Sequence, residues 1–194
     1  MPRTLDVHLH LAVFVGAEVV HRRQVVHRVD LAFEGLQVVG RDTELEQLRH
    51  AQQLASEGRG QVAAVVGEAG VGKSRLVYEF THSHRLQGWL TLEAASVSYG
   101  KATSYLPVID LLKGYFKIGD RDDLREIREK VTGKLLTLDR TLEPTLPGLL
   151  ALLDVPVDDP AWQTLVPAAR RQRTLDAVKR LLLREAREQP LLVI

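Results

Sequence analysis

The sequence predicts an α/β fold: an incomplete parallel sheet with a helical insert after its second strand. Three observations predict this fold. A short apolar run at residues 61–66 precedes a glycine-rich loop and a segment with helical periodicity. A second apolar run, at residues 89–94, is typical of another strand. About ninety residues with mostly helical spacing then follow, up to a last apolar run at residues 190–194.

The glycine-rich loop is the most specific motif of the chain. Residues 67–74 match G-x-x-x-x-G-K-[ST], the phosphate-binding P-loop of nucleoside triphosphatases. The glycines let the backbone turn with its N–H groups pointing inward, and the following helix adds the positive end of its dipole. Lys73 is expected to reach the β- and γ-phosphates, and the Ser74 hydroxyl is expected to bind Mg²⁺. The predicted phosphate site consists of Gly67, Glu68, Ala69, Gly70, Val71, Gly72, Lys73 and Ser74.

Two helices are predicted to flank this loop and its strand. Before the strand, Thr43-x-x-Glu46 matches a capping box, so Asp42 or Thr43 is the expected N-cap. After the loop, an apolar stripe predicts a helix that Gly88 ends.

A long helix is predicted over residues 167–188. A basic helix can bind phosphates, but Asp176, Glu185 and Glu188 dilute the positive charge, so we interpret it as a solvated face. Its basic residues are Arg170, Arg171, Arg173, Lys179, Arg180, Arg184 and Arg187.

Composition excludes several classes of function. The 194 residues suggest one domain, or one with a short appendage. Lys plus Arg number 26 and Asp plus Glu 25, so we expect neither direct nucleic-acid binding nor a membrane partner. The absence of cysteine excludes disulfides, thiol catalysis and Cys-based zinc sites, and it fits a cytoplasmic protein.

Residues 1–37 remain unassigned, as either the tail of a preceding domain or a loosely ordered start. Four of the seven histidines lie here, at His8, His10, His21 and His27. A His-x-His pair can bind metal, but no matching carboxylate or thiolate cluster accompanies it, so solvated or packed histidines are the preferred interpretation.

Hydrolysis requires an acidic residue at the end of a second apolar strand. Asp110 follows an apolar run, but the spacing continues there as a helix. Asp154 follows another run, which a proline–glycine pair precedes. The run at residues 191–194 is the better candidate strand, and the chain stops there. We therefore expect a fragment that ends before its Walker B acids and does not hydrolyse ATP alone.

Residues 39–45, Val-Gly-Arg-Asp-Thr-Glu-Leu, resemble the VGRE-x-EL box of a known family. The box opens the STAND-type AAA-like ATPase domain of bacterial MalT/LuxR-type regulators, which also occurs beside class III adenylate and guanylate cyclases. Residues 96–107 and 170–194 also resemble this family, so the likeness covers residues 38–194. At position 42 the family usually has Glu instead of Asp.

The resemblance implies ATP with Mg²⁺, rather than GTP, and places Gly40 and Arg41 near the base or ribose. It implies partner domains in a larger regulator, with a cyclase or DNA-binding output. It also implies the strand order 5-1-4-3-2, in which the two neighbours of strand 61–66 lie beyond residue 194. That strand would then expose unpaired backbone, and the isolated chain is expected to be marginally stable and prone to aggregation.

Three functions remain open at this point. The first is a nucleotide-binding switch module of a regulatory ATPase. The second is an active ATPase that uses Asp110 or Asp154. The third is a non-enzymatic interaction remnant in which the P-loop is a relic.

Overall fold

The computed structural model describes residues 8–9, 12–14, 41–68, 70–83, 86–94 and 105–194. The chain divides into two compact units, Met1–Ala102 with Gln189–Ile194 and Thr103–Glu188. Several predicted features lie outside the described residues, namely those at His10, His21, His27, Gly40 and Ala69.

The first unit is built on helices α1, Asp42–Ser56, and α2, Lys73–Thr81. Their buried faces share one core with strand β6, Leu191–Val193. Helix α2 ends at Thr81, so the predicted end at Gly88 is wrong. Gly88 instead has φ +83° just before the next strand, a conformation that glycine adopts without strain. The core consists of Leu45, Leu48, Ala55, Leu76, Phe80, Leu86 and Leu192.

Parallel pairing is present between two of the predicted strands. Strand β5, Leu90–Leu92, lies parallel to β6, with Leu90 opposite Leu191. The helical insert predicted after the second strand separates β5 from β6 along the chain. This part of the predicted α/β arrangement agrees with the structure.

The strand that precedes the loop differs from the prediction. Residues 61–66 form two short strands, β3 at Gln61–Val62 and β4 at Val65–Val66. The N-terminal strands β1, His8–Leu9, and β2, Ala12–Phe14, pair antiparallel with β4 and β3 respectively. Strand β2 also pairs antiparallel with β6, which gives the order β3-β2-β6-β5.

Two expectations for residues 61–66 are therefore wrong. The run is neither a single parallel strand nor without neighbours, because backbone from the N-terminal strands supplies its hydrogen-bond partners. It is also only half-buried. Val62 and Val66 are 55% and 46% exposed, whereas Ala64, between the two short strands, is 5% exposed.

The capping box predicted for α1 does not form. Arg41 is the N-cap, with no side-chain capping hydrogen bond, and Asp42 lies within the first turn. A capping box forms instead at helix α4, Leu124–Leu138, where Asp123 accepts from the Glu126 backbone N–H and Glu126 accepts from that of Asp123.

The second unit consists of helices, as the periodicity of residues 106–188 predicts. None of the described helices is both long enough and apolar enough to cross a bilayer. The elements are α3 at Leu106–Phe116, α4, a 3₁₀ helix at Arg140–Thr145, α5 at Leu146–Leu152, α6 at Pro160–Gln163 and α7 at Pro167–Glu188.

A buried polar pair links the first and last of these helices. The Tyr115 hydroxyl of α3 donates a 2.6 Å hydrogen bond to Glu185 of α7, and both side chains are buried. Burial and this carboxylate raise the pKa of the Tyr115 hydroxyl, which therefore stays protonated as a donor. The Lys134 ammonium of α4 lies 3.6 Å from the Tyr115 ring centroid and donates to the Tyr115 carbonyl at 2.6 Å.

Asp139 joins the end of α4 to α7. Its carboxylate accepts from the Thr141 backbone N–H at 2.8 Å and from Arg184 Nε at 2.7 Å. The hydrogen bonds from Thr141 and Arg184 lower the pKa of Asp139 from 3.8 to about 2.

This shift predicts a loss of stability in acid. Because the pKa of Asp139 is lower in the folded state, the unfolded chain binds more protons as the pH falls from about 4 to about 2. The contribution of Asp139 is therefore present above pH 4 and disappears near pH 2. We expect wild-type protein to melt at a higher temperature than Asp139→Asn at about pH 6, and the difference to shrink toward pH 2.

Thermal unfolding followed by circular dichroism across this pH range measures the effect. Asp158→Asn serves as the control, because Asp158 is an exposed aspartate with no ion pair in the described part of the unit. A constant difference between wild type and Asp139→Asn at all pH values would contradict the assignment.

Candidate phosphate-binding site

The loop between β4 and α2 turns through two left-handed residues. Gly70 has φ +82° and Gly72 has φ +87°, values at which a residue with a Cβ is strained. A Cβ built on either glycine would meet no atom within 4 Å. Glycine is therefore favoured at these two positions because of the backbone conformation, and not because a larger side chain would clash with its surroundings.

Helix α2 begins directly after this turn with its amide groups uncapped. Gly72 is the N-cap, no side-chain capping bond is present in the described residues, and the first turn has no acidic residue. The N–H groups of the first turn and the positive end of the helix dipole are therefore available to an anion.

The Lys73 side chain folds back over the loop. Its ammonium donates to the Gly67 carbonyl at 2.8 Å and to the Glu68 carbonyl at 2.7 Å. Ser74 follows in the first turn of α2 and is partly buried. The structure thus brings the predicted residues Gly67, Glu68 and Lys73 together by direct hydrogen bonds.

Arg41 contacts the same loop from the start of α1. Its Nη2 donates to the Val71 carbonyl at 2.9 Å, and its Nη1 donates to Glu44 Oε1 at 2.7 Å. The Arg41 hydrogen bond lowers the pKa of Glu44 and keeps that carboxylate charged. The resemblance of residues 39–45 implied that Arg41 lies near the base or ribose, but it gave no sign of this contact with the loop.

Comparison with known proteins agrees with this geometry. The family model of the AAA ATPase domain matches residues 37–194. This chain belongs to the AAA ATPase domain family. Neither the curated proteins nor the solved structures include a match to the chain.

Membership in the AAA family confirms the coarser part of the resemblance. The chain is a P-loop ATPase module of the α/β class, and such domains generally bind ATP with Mg²⁺. The loop at residues 67–74 lies within the matched region, as does Arg41. The finer kinship with MalT/LuxR-type or cyclase-associated proteins remains a proposal.

The two acidic residues considered for hydrolysis both lie in helical surroundings. Asp110 is within α3, and Asp154 follows α5 in a turn with φ +57°. The structure confirms that Asp110 belongs to a helix. In the described part of the AAA domain, no three His, Asp or Glu side chains are grouped to hold a metal ion.

A cleft of about 940 Å³ lies in the helical unit, against α7. Its charges nearly balance, so it shows no clear preference for an anion. Some of the charged side chains that line it already form hydrogen bonds within the protein. Arg180 donates to the Thr141 carbonyl, and Asp159 accepts from the Ala161 backbone N–H. The charged residues that line it are Arg140, Arg173, Lys179, Arg180, Glu143, Asp159 and Asp176.

The loop conformation predicts the effect of a methyl group at Gly72. Gly72 and Gly58 have nearly the same φ, +87° and +84°, and both face open space, so each is a matched control for the other. Replacing either by alanine should destabilise the AAA domain by about 1–2 kcal/mol through backbone strain alone. Only Gly72→Ala places that strain in the phosphate loop.

We therefore expect Gly72→Ala to weaken ATP-Mg binding by about tenfold, while Gly58→Ala leaves affinity near the wild-type value. Chemical denaturation measures the stability of both variants, and isothermal titration calorimetry measures their affinity. Equal losses of affinity in the two variants would show that general destabilisation, not loop geometry, governs binding.

Proposed function

We propose that this chain is the ATP-binding module of a regulatory AAA ATPase, in which the bound nucleotide sets the state of a larger protein. The supporting observation is the loop at residues 67–74. It combines two left-handed glycines, an uncapped helix N-terminus and a lysine within reach of the loop. Each feature favours a phosphate group, and the family is one that generally binds ATP.

The backbone amides, Lys73 and Ser74 would each bind a different part of the nucleotide–Mg²⁺ complex. The backbone N–H groups of the turn and of the first turn of α2 would donate to phosphate oxygens. Lys73 would exchange two neutral carbonyl acceptors for charged phosphate oxygens, which form stronger hydrogen bonds with an ammonium. The Ser74 hydroxyl would hold Mg²⁺, which neutralises phosphate charge when it is bound.

The proposal includes binding without turnover by this chain alone. Hydrolysis in P-loop ATPases needs an acid at the end of a strand beside the loop. Asp110 lies on a helix and Asp154 in a turn after one, and the strand β6 is apolar. An active ATPase that uses either acid remains the second candidate function.

The regulatory role rests on the resemblance of residues 39–45 to the STAND-type box. It includes a cytoplasmic location, an ATPase region at residues 38–194 and partner domains with a cyclase or DNA-binding output. Direct nucleic-acid binding by this chain is not part of the proposal. The competing possibility is an interaction remnant whose loop no longer binds nucleotide.

Lys73→Ala tests nucleotide binding directly. Loss of the ammonium removes charge-assisted hydrogen bonds to phosphate, so we expect ATP-Mg affinity to fall by roughly 10- to 100-fold. Lys113→Ala is the control, because Lys113 is an exposed lysine on α3. Calorimetric titration and the thermal shift in millimolar ATP-Mg measure the change.

Two results would overturn the assignment. Unchanged binding in Lys73→Ala would show that nucleotide binds elsewhere. The absence of any thermal shift in the wild-type chain would favour the interaction remnant.

Turnover distinguishes the switch module from an active ATPase. We expect no release of inorganic phosphate above background when the purified chain is incubated with ATP-Mg, because neither Asp110, within α3, nor Asp154, in the turn after α5, ends a strand. A colorimetric phosphate assay measures this. Turnover that disappears in Asp110→Asn or in Asp154→Asn would instead establish the active ATPase and identify its acid.

A further inference from the structure

We propose that Arg41 is a positioning residue for the phosphate loop, which it acts on through the Val71–Gly72 peptide and not through the base of the nucleotide. The inference rests on the proposed function of residues 67–74 and deepens it. Arg41 and Glu44 act together to orient a backbone N–H that receives phosphate.

The contact itself is well defined. Arg41 Nη2 lies 2.9 Å from the Val71 carbonyl oxygen, thirty residues away along the chain. The other terminal nitrogen, Nη1, donates to Glu44 Oε1 at 2.7 Å. The two side chains are 22% and 19% exposed, so water competes only partly for these bonds. Both terminal nitrogens of Arg41 are thus engaged, one by a carboxylate and one by the loop.

The geometry of the peptide bond carries the effect to the next residue. A trans peptide is planar, and its C=O and N–H point in opposite directions. A donor that holds the Val71 carbonyl therefore also sets the direction of the Gly72 N–H. Gly72 is the N-cap of α2 and has φ +87°, so this N–H lies in the left-handed turn directly before the uncapped first turn of the helix, a backbone arrangement that suits an anion.

The loop needs such a restraint because of its composition. Val71 lies between Gly70 and Gly72, and glycine has more backbone freedom than any other residue. Without an external contact, the peptides on both sides of Val71 could rotate. Phosphate binding would then have to fix their orientation, at a cost in conformational entropy. The Arg41 hydrogen bond fixes the orientation of the Val71–Gly72 peptide before phosphate binds, which favours binding.

Positioning and base contact predict different responses to a ligand without a base. If Arg41 orients the Gly72 N–H, its removal weakens every ligand that bears the phosphates, whether or not a nucleoside is attached. If Arg41 contacts adenine or ribose, its removal weakens ATP and leaves inorganic tripolyphosphate unchanged.

The experiment compares ATP-Mg and tripolyphosphate-Mg by calorimetry in wild type, Arg41→Ala and Glu44→Gln. We expect Arg41→Ala to weaken both ligands by the same factor, about tenfold, and Glu44→Gln to weaken both by a smaller factor. Arg49→Ala is the matched control. Arg49 pairs with Glu46 at 2.8 Å on the same helix but has no bond to the loop in the described residues, so its affinities should match wild type.

A second readout is independent of ligand. In ¹⁵N-labelled protein without nucleotide, Arg41→Ala and Glu44→Gln should shift the Gly72 amide resonance and speed its hydrogen exchange. Arg49→Ala should change neither. Glu44→Gln retains Arg41 and helix α1. Its Gly72 amide therefore still tests the positioning role if Arg41→Ala fails to fold.

The outcomes separate the two proposals. Loss of ATP binding alone, or an unchanged Gly72 amide in both variants, overturns the positioning role while ATP binding stands. Failure of wild-type protein to bind either ligand overturns the proposed function, and the Gly72 resonance still decides whether Arg41 orients the peptide.

Discussion

The left-handed turn at Gly70 and Gly72 is the constraint on which the rest of the candidate phosphate site depends. It lies between strand β4 and helix α2 and leads directly into the uncapped first turn of α2. Only glycine adopts this backbone at little energetic cost, so the turn also leaves the loop loosely restrained. The contacts made by Lys73 and Arg41 offset that freedom, since each holds a carbonyl of the loop.

Packing far from the loop makes the Arg41 contact possible. Helices α1 and α2 bury Leu48 and Phe80 in one core, which also contains Leu192 of the last strand. Close packing of this kind fixes the distance between the two helix N-termini, because side chains in a dense core have few alternative arrangements. The start of α1 thereby lies beside the loop, and a guanidinium bridges the remaining gap.

The helical unit is organised by polar contacts as much as by its apolar stripes. Tyr115 and Glu185 form a buried hydrogen bond between α3 and α7, and Arg184, the residue before Glu185 on α7, binds Asp139 at the end of α4. A buried polar group is costly without a partner, so the Tyr115–Glu185 pair favours one alignment of α3 and α7 over others. Periodicity analysis placed α7 correctly at residues 167–188, but it assigned Glu185 to a solvated face, although Glu185 is only 6% exposed.

The sequence by itself determined the features that depend on near neighbours. The P-loop motif, the apolar runs that form β5 and β6 and the extent of α7 follow from glycine conformation and apolar spacing, which operate over a few residues. Only the tertiary structure decided the antiparallel partners of residues 61–66, the lost capping box of α1 and the partner of Arg41. Each of these depends on groups about thirty or more residues apart, or on a competing contact at a helix end. Local pattern carries no information about which distant backbone group will satisfy a donor, because packing selects among many partners of the same chemistry.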